Sequence, residues 1–250
     1  MTYQKSDRGG DSSGILILWD IDGTLIQQYD RSTLFNRALE PWAGPEFLAA
    51  WKPVSKGLPD SQILSAGLVE SGFSQDEVKT ILPSACRQLG ICQQQEVHLI
   101  PEQSPILPGV RSTLFSNKLG GRPIVHSLAT GNTFFRSFLK VRSHDLLENL
   151  STFLGCYGDD ATDRAVMVAA GLERISLWER FNRARFTAIF IVGDSIHDIE
   201  AAGQNDLPSI GLTSSGESPE ILTSHGATRV VSSAHHVLTA IESYLLEVGL

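Results

Sequence analysis

The 250-residue sequence predicts an α/β fold in which a parallel sheet carries helices on both faces. Several short apolar runs stop at small or acidic residues, as strands buried on both faces of a parallel sheet do. Helical patterns separate these runs. The longest stretch without a strand pattern, residues 29–104, has helical patterns throughout, and we interpret it as an insert that follows the first strand.

The apolar runs define the predicted strands. In chain order these cover residues 15–19, 123–131, 188–195 and 207–216, with a weaker candidate at 152–158 and a short edge strand at 228–231. The first run leads directly into Asp20, and Gly23 then breaks the pattern. His126 lies inside the second run, so we expect it to be a buried core histidine with its hydrogen bonds satisfied.

Helix signals lie between the strands and inside the insert. Thr162 or Asp163 is a candidate N-cap for a helix over residues 164–171, and residues 234–248 form an amphipathic pattern. The other signals are Ser218 as an N-cap before Pro219, Pro45 at a helix start, Asp60 as the cap of a helix that stops at Gly72, and the capping box Ser74–Glu77 of a helix that ends at Gly90.

These patterns divide the chain into three parts. Residues 1–13 are polar, and we expect a flexible tail there. Residues 14–28 and 105–250 form the predicted α/β core, and residues 29–104 form the helical insert. Trp42, Phe47 and Trp51 recur at near-helical spacing, which favours a place in the apolar core of the insert.

Composition argues against several classes of function. The formal net charge of -8 disfavours a nucleic-acid partner. No apolar run approaches the roughly 20 residues that span a bilayer, and the N-terminal residues lack the apolar region of a signal peptide. We therefore expect a cytoplasmic protein with no membrane partner. The three cysteines show no metal-ligand spacing, and we expect reduced thiols.

Polar residues follow the predicted strands at the points where the strands end. Because the carboxyl ends of parallel strands meet at one edge of a sheet, these residues should converge there. They are Asp20 and Asp22 after the first strand, Thr130 at the end of the second, and Asp194 and Asp198 near the end of the strand at 188–195. Mg²⁺ bound through oxygen ligands would relieve the repulsion among the four carboxylates.

The same residue types suit the transfer of a phosphoryl group. Asp20 is the candidate nucleophile that would form an aspartyl-phosphate. Asp22 lies two residues later on the same face of an extended segment, and it is the candidate general acid and base. The candidate hydrogen-bond donors to the phosphoryl group are the Thr130 hydroxyl, the backbone N–H groups of the Gly23 and Gly131 turns, and the cation Arg164.

Four segments resemble, in order, the four motifs of the haloacid-dehalogenase superfamily of phosphohydrolases. They are DIDGTL, LATGN, Arg164 and GDSIHD, and the chain as a whole resembles the phosphoglycolate-phosphatase-like members. The resemblance implies a Rossmann-like parallel sheet core with a helical C1 cap inserted after the first strand. It also implies Mg²⁺ dependence, an aspartyl-phosphate intermediate and a small phosphorylated metabolite as the substrate.

The resemblance also assigns individual residues. It implies that the Asp20 carboxylate, the Asp22 backbone carbonyl and Asp194 bind Mg²⁺, that Asp198 assists, and that Asn132 joins the phosphate site. The third motif departs from the family pattern, which usually has lysine, because the matching segment reads GDDATDRAVM. Arg164 is therefore the candidate cation and Lys140 its rival. If Lys140 lies on a helix surface, its replacement should be nearly silent.

Other functions share part of this pattern. A phosphomutase of the β-phosphoglucomutase type uses the same core residues but returns the phosphoryl group to its substrate. A phospho-acceptor signalling domain also uses strand-end acids and Mg²⁺, but such domains are about half this length and carry no cap. A non-catalytic protein on the same fold is disfavoured, because the acids at Asp20, Asp22, Asp194 and Asp198 are intact.

Overall fold

The first predicted strand lies at the centre of the sheet. A computed structural model describes residues 13–29, 32–53, 57–214 and 217–250, so almost all of the predicted tail lies outside the described residues. The strands are β1 (Ser13–Trp19), β2 (Lys118–Leu119), β3 (Arg122–Thr130), β4 (Cys156–Tyr157), β5 (Arg185–Gly193), β6 (Ser209–Leu212) and β7 (Arg229–Val231). The two-residue β2 has no counterpart among the predicted strands.

The strand order is β2-β3-β1-β5-β6-β7, with β4 beside the end of β3. All described pairs are parallel except β2 with β3. Trp19, the last residue of β1, pairs with Leu128 of β3 and with Val192 of β5. The carboxyl ends of these three strands are therefore level, and the predicted α/β fold class is confirmed.

Helices cover both faces of the sheet. They are α1 (Ser32–Leu39), α2 (Pro45–Ala50), α3 (Asp60–Glu70), α4 (Gln75–Gln95), α5 (Ile100–Gln103), α6 (Val110–Leu114), α7 (Phe134–Ser143), α8 (Arg164–Asn182), α9 (Ile196–Gln204), α10 (Pro219–Ser224) and α11 (Val237–Glu247). None of the described helices combines the length and apolarity that a membrane crossing requires.

The side chains of β1 alternate between two apolar clusters, as the period of a strand demands. Ile15, Ile17 and Trp19 pack in the cluster that includes residues of α6 and α11. Leu16 and Leu18 pack in the other cluster, with residues of α8 and α9. Both faces of β1 are therefore buried, which explains its continuous run of apolar residues.

The predicted core histidine is confirmed. His126 is buried, its Nδ1 accepts from Trp19 Nε1 at 3.1 Å, and its Nε2 lies 2.9 Å from the carbonyl oxygen of Ser116. Burial lowers the pKa of His126, and the accepting Nδ1 requires the neutral ring. His126 therefore belongs to the core of the sheet and not to the site at its edge.

Three helix boundaries differ from the predictions. Pro59, not Asp60, is the N-cap of α3, because the Asp60 carboxylate is turned toward α7. Helix α4 continues five residues beyond Gly90, where an added Cβ would meet the Phe135 ring at 2.5 Å. Helix α8 continues beyond Gly171, where an added Cβ would meet Cys156 Sγ at 2.1 Å. Both glycines permit close packing and do not end their helices.

The helices α1–α4 bury an apolar cluster of their own. Its members all lie between Leu34 and Cys92, and the predicted place of the three aromatic residues is confirmed. Trp51 is buried in this cluster, and Trp42 and Phe47 pack against it. No strand occurs among the described residues of the segment 29–104. The division of the chain into a core and a cap domain stays a prediction that this separate cluster supports.

The three cysteines should be almost unreactive while the protein is folded. Cys86, Cys92 and Cys156 are buried free thiols, and burial raises the pKa of Cys86 and of Cys156 to about 12. Because the thiolate is the reacting form, we expect labelling by a disulfide reagent at pH 8 to be at least about 100-fold slower in the folded protein than in urea. A thiol that reacts at once in the folded state would contradict this packing.

Candidate active site

A tight turn after β1 holds Asp20 at the edge of the sheet. The backbone N–H of Asp20 donates to the carbonyl of Val192 in β5 at 2.8 Å, which continues the strand pairing by one residue. Gly23 has a left-handed backbone with φ +88°, and its N–H donates to the Ile26 carbonyl at 2.7 Å. A Cβ at Gly23 would meet Asp194 Oδ2 at 2.4 Å. Glycine therefore permits both the turn and the close approach of the two loops.

Three carboxylates meet at this edge. Asp20, Asp194 and Asp198 are buried, and each offers an oxygen atom within 4.8 Å of the other two. Asp194 follows β5 and accepts from the Thr24 hydroxyl at 3.0 Å, a contact that no pattern in the sequence singles out. Asp198 lies in the first turn of α9, where its carboxylate accepts from the backbone N–H of Ser195 at 3.1 Å in a capping box.

Arg164 lies beside the candidate nucleophile. It is the first residue of α8. The N-cap of this helix is Asp163, one of the two predicted candidates. Arg164 Nη2 donates to Asp20 Oδ1 at 3.2 Å and to Asp198 Oδ1, and its Nη1 donates to the Gly57 carbonyl at 2.9 Å. Burial acts to lower the pKa of Arg164, but Asp198 and Asp20 raise it above its ordinary value. Arg164 is therefore a fixed cation between two carboxylates.

Lys140 does not lie on a helix surface, so the expectation that its replacement would be nearly silent does not apply. The side chain extends from α7 and is fully buried. Its Nζ lies 2.7 Å from Oδ1 and 2.6 Å from Oδ2 of Asp22. On a helical pattern alone residue 140 looks exposed, but its Nζ contacts Asp22 and Asn132 in the interior of the protein. The two rival cations thus hold different aspartates.

Asn132 joins the loop after β3 to Asp22. Its Nδ2 donates to Asp22 Oδ2 at 2.7 Å and to the Thr130 hydroxyl at 2.9 Å. Its Oδ1 accepts from Lys140 Nζ at 2.9 Å. Thr130 is fully buried and also accepts from the Asn132 backbone N–H at 3.3 Å. Asn132 of the second motif therefore contacts Asp22 directly, and Thr130 holds Asn132 in place.

The electrostatics of Asp20 suit a divalent cation. Burial raises the pKa of Asp20 well above its ordinary value; Asp198, Asp194 and Asp22 raise it further, and Arg164 opposes them. When all of these carboxylates are ionised, the positive charge of Arg164 does not balance their negative charge. Clustered carboxylate oxygens are the ligands that Mg²⁺ prefers. Asp20, Asp194 and Asp198 therefore fit this ion by their chemistry and by their spacing.

A cavity opens over these groups, and the helical segment forms its other wall. The core residues that line it are Asp20, Asp22, Gln28, Gly131, Asn132, Arg164, Asp194 and Ser195. From the helical segment come Phe35, Gly57, Leu58, Asp60 and Ile63. The sequence patterns assign neither Gln28 nor these five to the site, because their positions depend on how the helices pack over the sheet. Three of the five, Phe35, Leu58 and Ile63, are apolar.

Asp60 anchors the start of α3 to the core. Its carboxylate accepts from the backbone N–H of Thr133 at 2.8 Å and pairs with Arg136 of α7. Its backbone N–H donates to the Gly131 carbonyl at 2.7 Å. Asp60 and Arg136 are both buried, so this contact joins the helical segment to the loop that carries Asn132.

Comparison with solved structures agrees with this geometry. A protein from Clostridium acetobutylicum described as a predicted phosphatase has a TM-score of 0.62 and 19% identity, over 93% of this chain and 100% of the other. A haloacid dehalogenase-like family hydrolase from Streptococcus pneumoniae has 0.55 and 13%, over 92% and 99%. CbbY from Rhodobacter sphaeroides, in complex with phosphate, has 0.56 and 16%, over 89% and 95%.

These likenesses show the fold. The chain has the fold of haloacid dehalogenase-like hydrolases, which confirms the Rossmann-like core that the resemblance of the motifs implies. No family model matches the sequence, and no curated protein is found to be similar to it.

Replacing Gly23 by alanine tests the turn that brings the two acidic loops together. The left-handed backbone of Gly23 costs other residues about 1–2 kcal/mol, and the new Cβ would displace Asp194. We expect Gly23→Ala to lower the free energy of unfolding in urea by at least about 1 kcal/mol. Gly203→Ala is the matched control, because a Cβ there meets nothing within 4 Å in α9. Equal stability of the two variants would contradict the turn.

Proposed function

We propose that this chain is a Mg²⁺-dependent phosphatase that hydrolyses a small phosphomonoester through an aspartyl-phosphate on Asp20. The observation that carries the proposal is the placement of Asp20 at the strand end, against the guanidinium of Arg164 and within 4.8 Å of the oxygens of Asp194 and Asp198. The motif resemblance and the phosphate complex of CbbY on the same fold support it.

In the proposed first step, a carboxylate oxygen of Asp20 attacks phosphorus and the bond to the leaving oxygen breaks. Asp22 gives a proton to that oxygen, so that a neutral alcohol departs. Arg164 offsets the repulsion between the Asp20 anion and the equatorial phosphoryl oxygens, because its guanidinium is fixed beside Asp20.

In the proposed second step, water attacks phosphorus and the bond to Asp20 breaks. Asp22, now ionised, takes a proton from that water, which restores both side chains and releases inorganic phosphate. The backbone N–H of Gly131 and the Thr130 hydroxyl are the proposed phosphate ligands, and Gly131 lines the cavity, which supports its part of this assignment. The Gly23 N–H and the Asn132 amide are also expected there from the sequence, but the first donates to the Ile26 carbonyl and the second to Asp22 and Thr130.

The carboxylates of Asp20 and Asp194 and the backbone carbonyl of Asp22 are the proposed Mg²⁺ ligands, with Asp198 assisting. When bound, the ion supplies positive charge for the transferring phosphoryl group and orients it. Without it, the raised pKa of Asp20 favours the protonated carboxyl group, which is a poor nucleophile. We therefore expect phosphate release to stop in a chelator and to return with Mg²⁺.

We also propose that the segment 29–104 acts as a cap that selects the substrate. Phe35, Leu58 and Ile63 of this segment line the cavity as an apolar wall, together with the charged Asp60. The alcohol part of a bound phosphomonoester would lie against this wall. Residues far from the reacting atoms then determine which alcohol is preferred, as remote binding energy does in other enzymes.

A phosphomutase of the β-phosphoglucomutase type would need the same core residues. The two activities differ in the fate of the aspartyl-phosphate, because a mutase returns the phosphoryl group to a sugar phosphate. A screen of phosphomonoesters with Mg²⁺, read both as released inorganic phosphate and as isomerised substrate, separates them. Stoichiometric release of phosphate supports the phosphatase, and isomerisation without release contradicts it.

Replacing Asp20 by asparagine should abolish turnover, because a carboxamide is a poor nucleophile and a poor Mg²⁺ ligand. Asp22→Asn should keep most of its kcat/KM for p-nitrophenyl phosphate and lose about 10²-fold or more for phenyl phosphate, whose leaving oxygen needs a proton. Phosphate release is the measurement, with circular dichroism as the check on folding. Near-normal release by pure Asp20→Asn protein would contradict the mechanism.

Replacing Arg164 tests the cation beside Asp20. Arg164→Ala should lose about 10²–10³-fold in rate, by comparison with the loss of one oxyanion donor. Arg164→Lys should keep part of the activity, because it preserves the charge but not the planar fork, in which Nη2 contacts Asp20 and Asp198 while Nη1 donates to the Gly57 carbonyl. Arg180→Ala, in the last turn of the same helix, is the control and should match the wild type. A normal rate for Arg164→Ala would overturn the assignment.

A further inference from the structure

Lys140 presents a buried ammonium group to Asp22, not to the candidate nucleophile. The side chain is completely buried, and Nζ lies within 2.7 Å of both carboxylate oxygens of Asp22. The Arg164 guanidinium meanwhile contacts Asp20 and Asp198. The two cations therefore contact different carboxylates of the same site.

A second side chain, that of Asn132, also holds Asp22. Asn132 donates to Asp22 Oδ2 at 2.7 Å and accepts from Lys140 Nζ at 2.9 Å, so the three side chains form a closed triangle of hydrogen bonds. Asn132 Nδ2 also donates to the Thr130 hydroxyl at 2.9 Å, which fixes the orientation of the amide. A carboxylate that is held at both oxygens by two other side chains cannot rotate freely about its terminal bond.

Stability alone does not account for this lysine. An ion pair in a protein interior is often no more stabilising than apolar side chains of the same volume, because both charges lose their hydration. Apolar residues at both 140 and 22 would therefore cost the fold little, whereas loss of Lys140 alone leaves the Asp22 charge buried without this cation. The geometry instead indicates that Lys140 holds the Asp22 carboxylate in one orientation.

We propose that Lys140 is a positioning residue for Asp22, with Asn132 as its partner. Lys140 orients the Asp22 side chain, which gives a proton to the leaving oxygen in its carboxyl form and regains a proton from the attacking water. The inference rests on the proposed phosphatase function, since it assigns Lys140 to the proton-transfer half of that site. It differs from the rival role in the third motif, in which Lys140 would bind the phosphoryl group. A phosphoryl-binding cation and a positioning cation leave different kinetic signatures.

The signature of a positioning role is dependence on the leaving group. Phenyl phosphate and p-nitrophenyl phosphate have the same ring, but p-nitrophenolate departs without a proton. The quantity to compare is kcat/KM, because it covers the steps up to release of the alcohol and not the later attack of water. Loss of a positioned acid should therefore lower kcat/KM for phenyl phosphate and largely spare p-nitrophenyl phosphate.

Lys140→Met is the test variant, because methionine is unbranched and of similar length. We expect kcat/KM for phenyl phosphate to fall about 10²-fold and that for p-nitrophenyl phosphate to fall less than about 10-fold. Competitive inhibition by inorganic phosphate should stay within about 2-fold of wild type, because Arg164 still binds it. Lys79→Met, which removes an exposed lysine on α4, is the control for the lost charge and should match wild type.

A double variant completes the test. Lys140→Met combined with Asp22→Asn should be no slower with phenyl phosphate than Asp22→Asn alone, because two residues that act as one unit are not additive. This variant removes both buried charges together, so it also covers the case in which Lys140→Met is poorly folded by circular dichroism. Additive losses in the double variant would overturn the proposal.

Two other outcomes are also decisive. Equal losses with both aryl phosphates, together with weaker inhibition by phosphate, would show that Lys140 binds the phosphoryl group and would overturn the positioning role while the phosphatase function stands. If the wild type releases no phosphate from any aryl ester with Mg²⁺, the proposed function itself is wrong and the positioning role falls with it.

Discussion

The repulsion among buried carboxylates at the carboxyl edge of the sheet is the constraint on which the rest of this site depends. Asp20 is flanked by Asp22, Asp194 and Asp198, and each of the three, together with burial, raises its pKa. The parallel register makes this crowding unavoidable, because β1, β3 and β5 end at the same level. Gly23 permits the close approach of Asp194, and Arg164 and Lys140 compensate part of the negative charge.

The two buried cations have different relations to their helices. Arg164 is the first residue of α8, where a positive charge is opposed by the helix dipole. Its position is therefore explained by Asp20 and Asp198 and not by helix stability. Lys140 lies in the last turn of α7, where the dipole favours a positive charge. The fold thus presents one cation to the nucleophile from a helix start and another to Asp22 from a helix end.

Buried Asp60, the first residue of α3, is one of the contacts that join the helical segment to this edge. Asp60 reaches the loop after β3 through its backbone and α7 through its side chain, so the wall of the cavity and the Asn132 loop share one anchor. A change in the packing of α3 over the core would therefore be transmitted to the residues that hold Asp22. This contact thus lies between the proposed cap and the side chains that hold Asp22.

The sequence alone determined that the chain forms a parallel sheet and that acidic residues gather at the carboxyl ends of its strands. Continuous apolar runs indicate strands buried on both faces, and parallel strands place the residues after them at one edge, so Asp20, Asp194 and Asp198 could be brought together without coordinates. The Ser218 cap and the Ser74–Glu77 capping box could be found in the same way, because both depend on local hydrogen bonds only.

Only the tertiary structure decided what each cation and each glycine does. On its own helix Lys140 looks like a surface residue, and only its contacts with Asp22, far away in the chain, and with Asn132, in the preceding loop, show that it is buried. Gly90 and Gly171 look like helix ends, and only the neighbouring Phe135 and Cys156 show that they are close contacts. Local patterns record short-range hydrogen bonds and periodicity, whereas these roles depend on residues far apart in the chain that meet after folding.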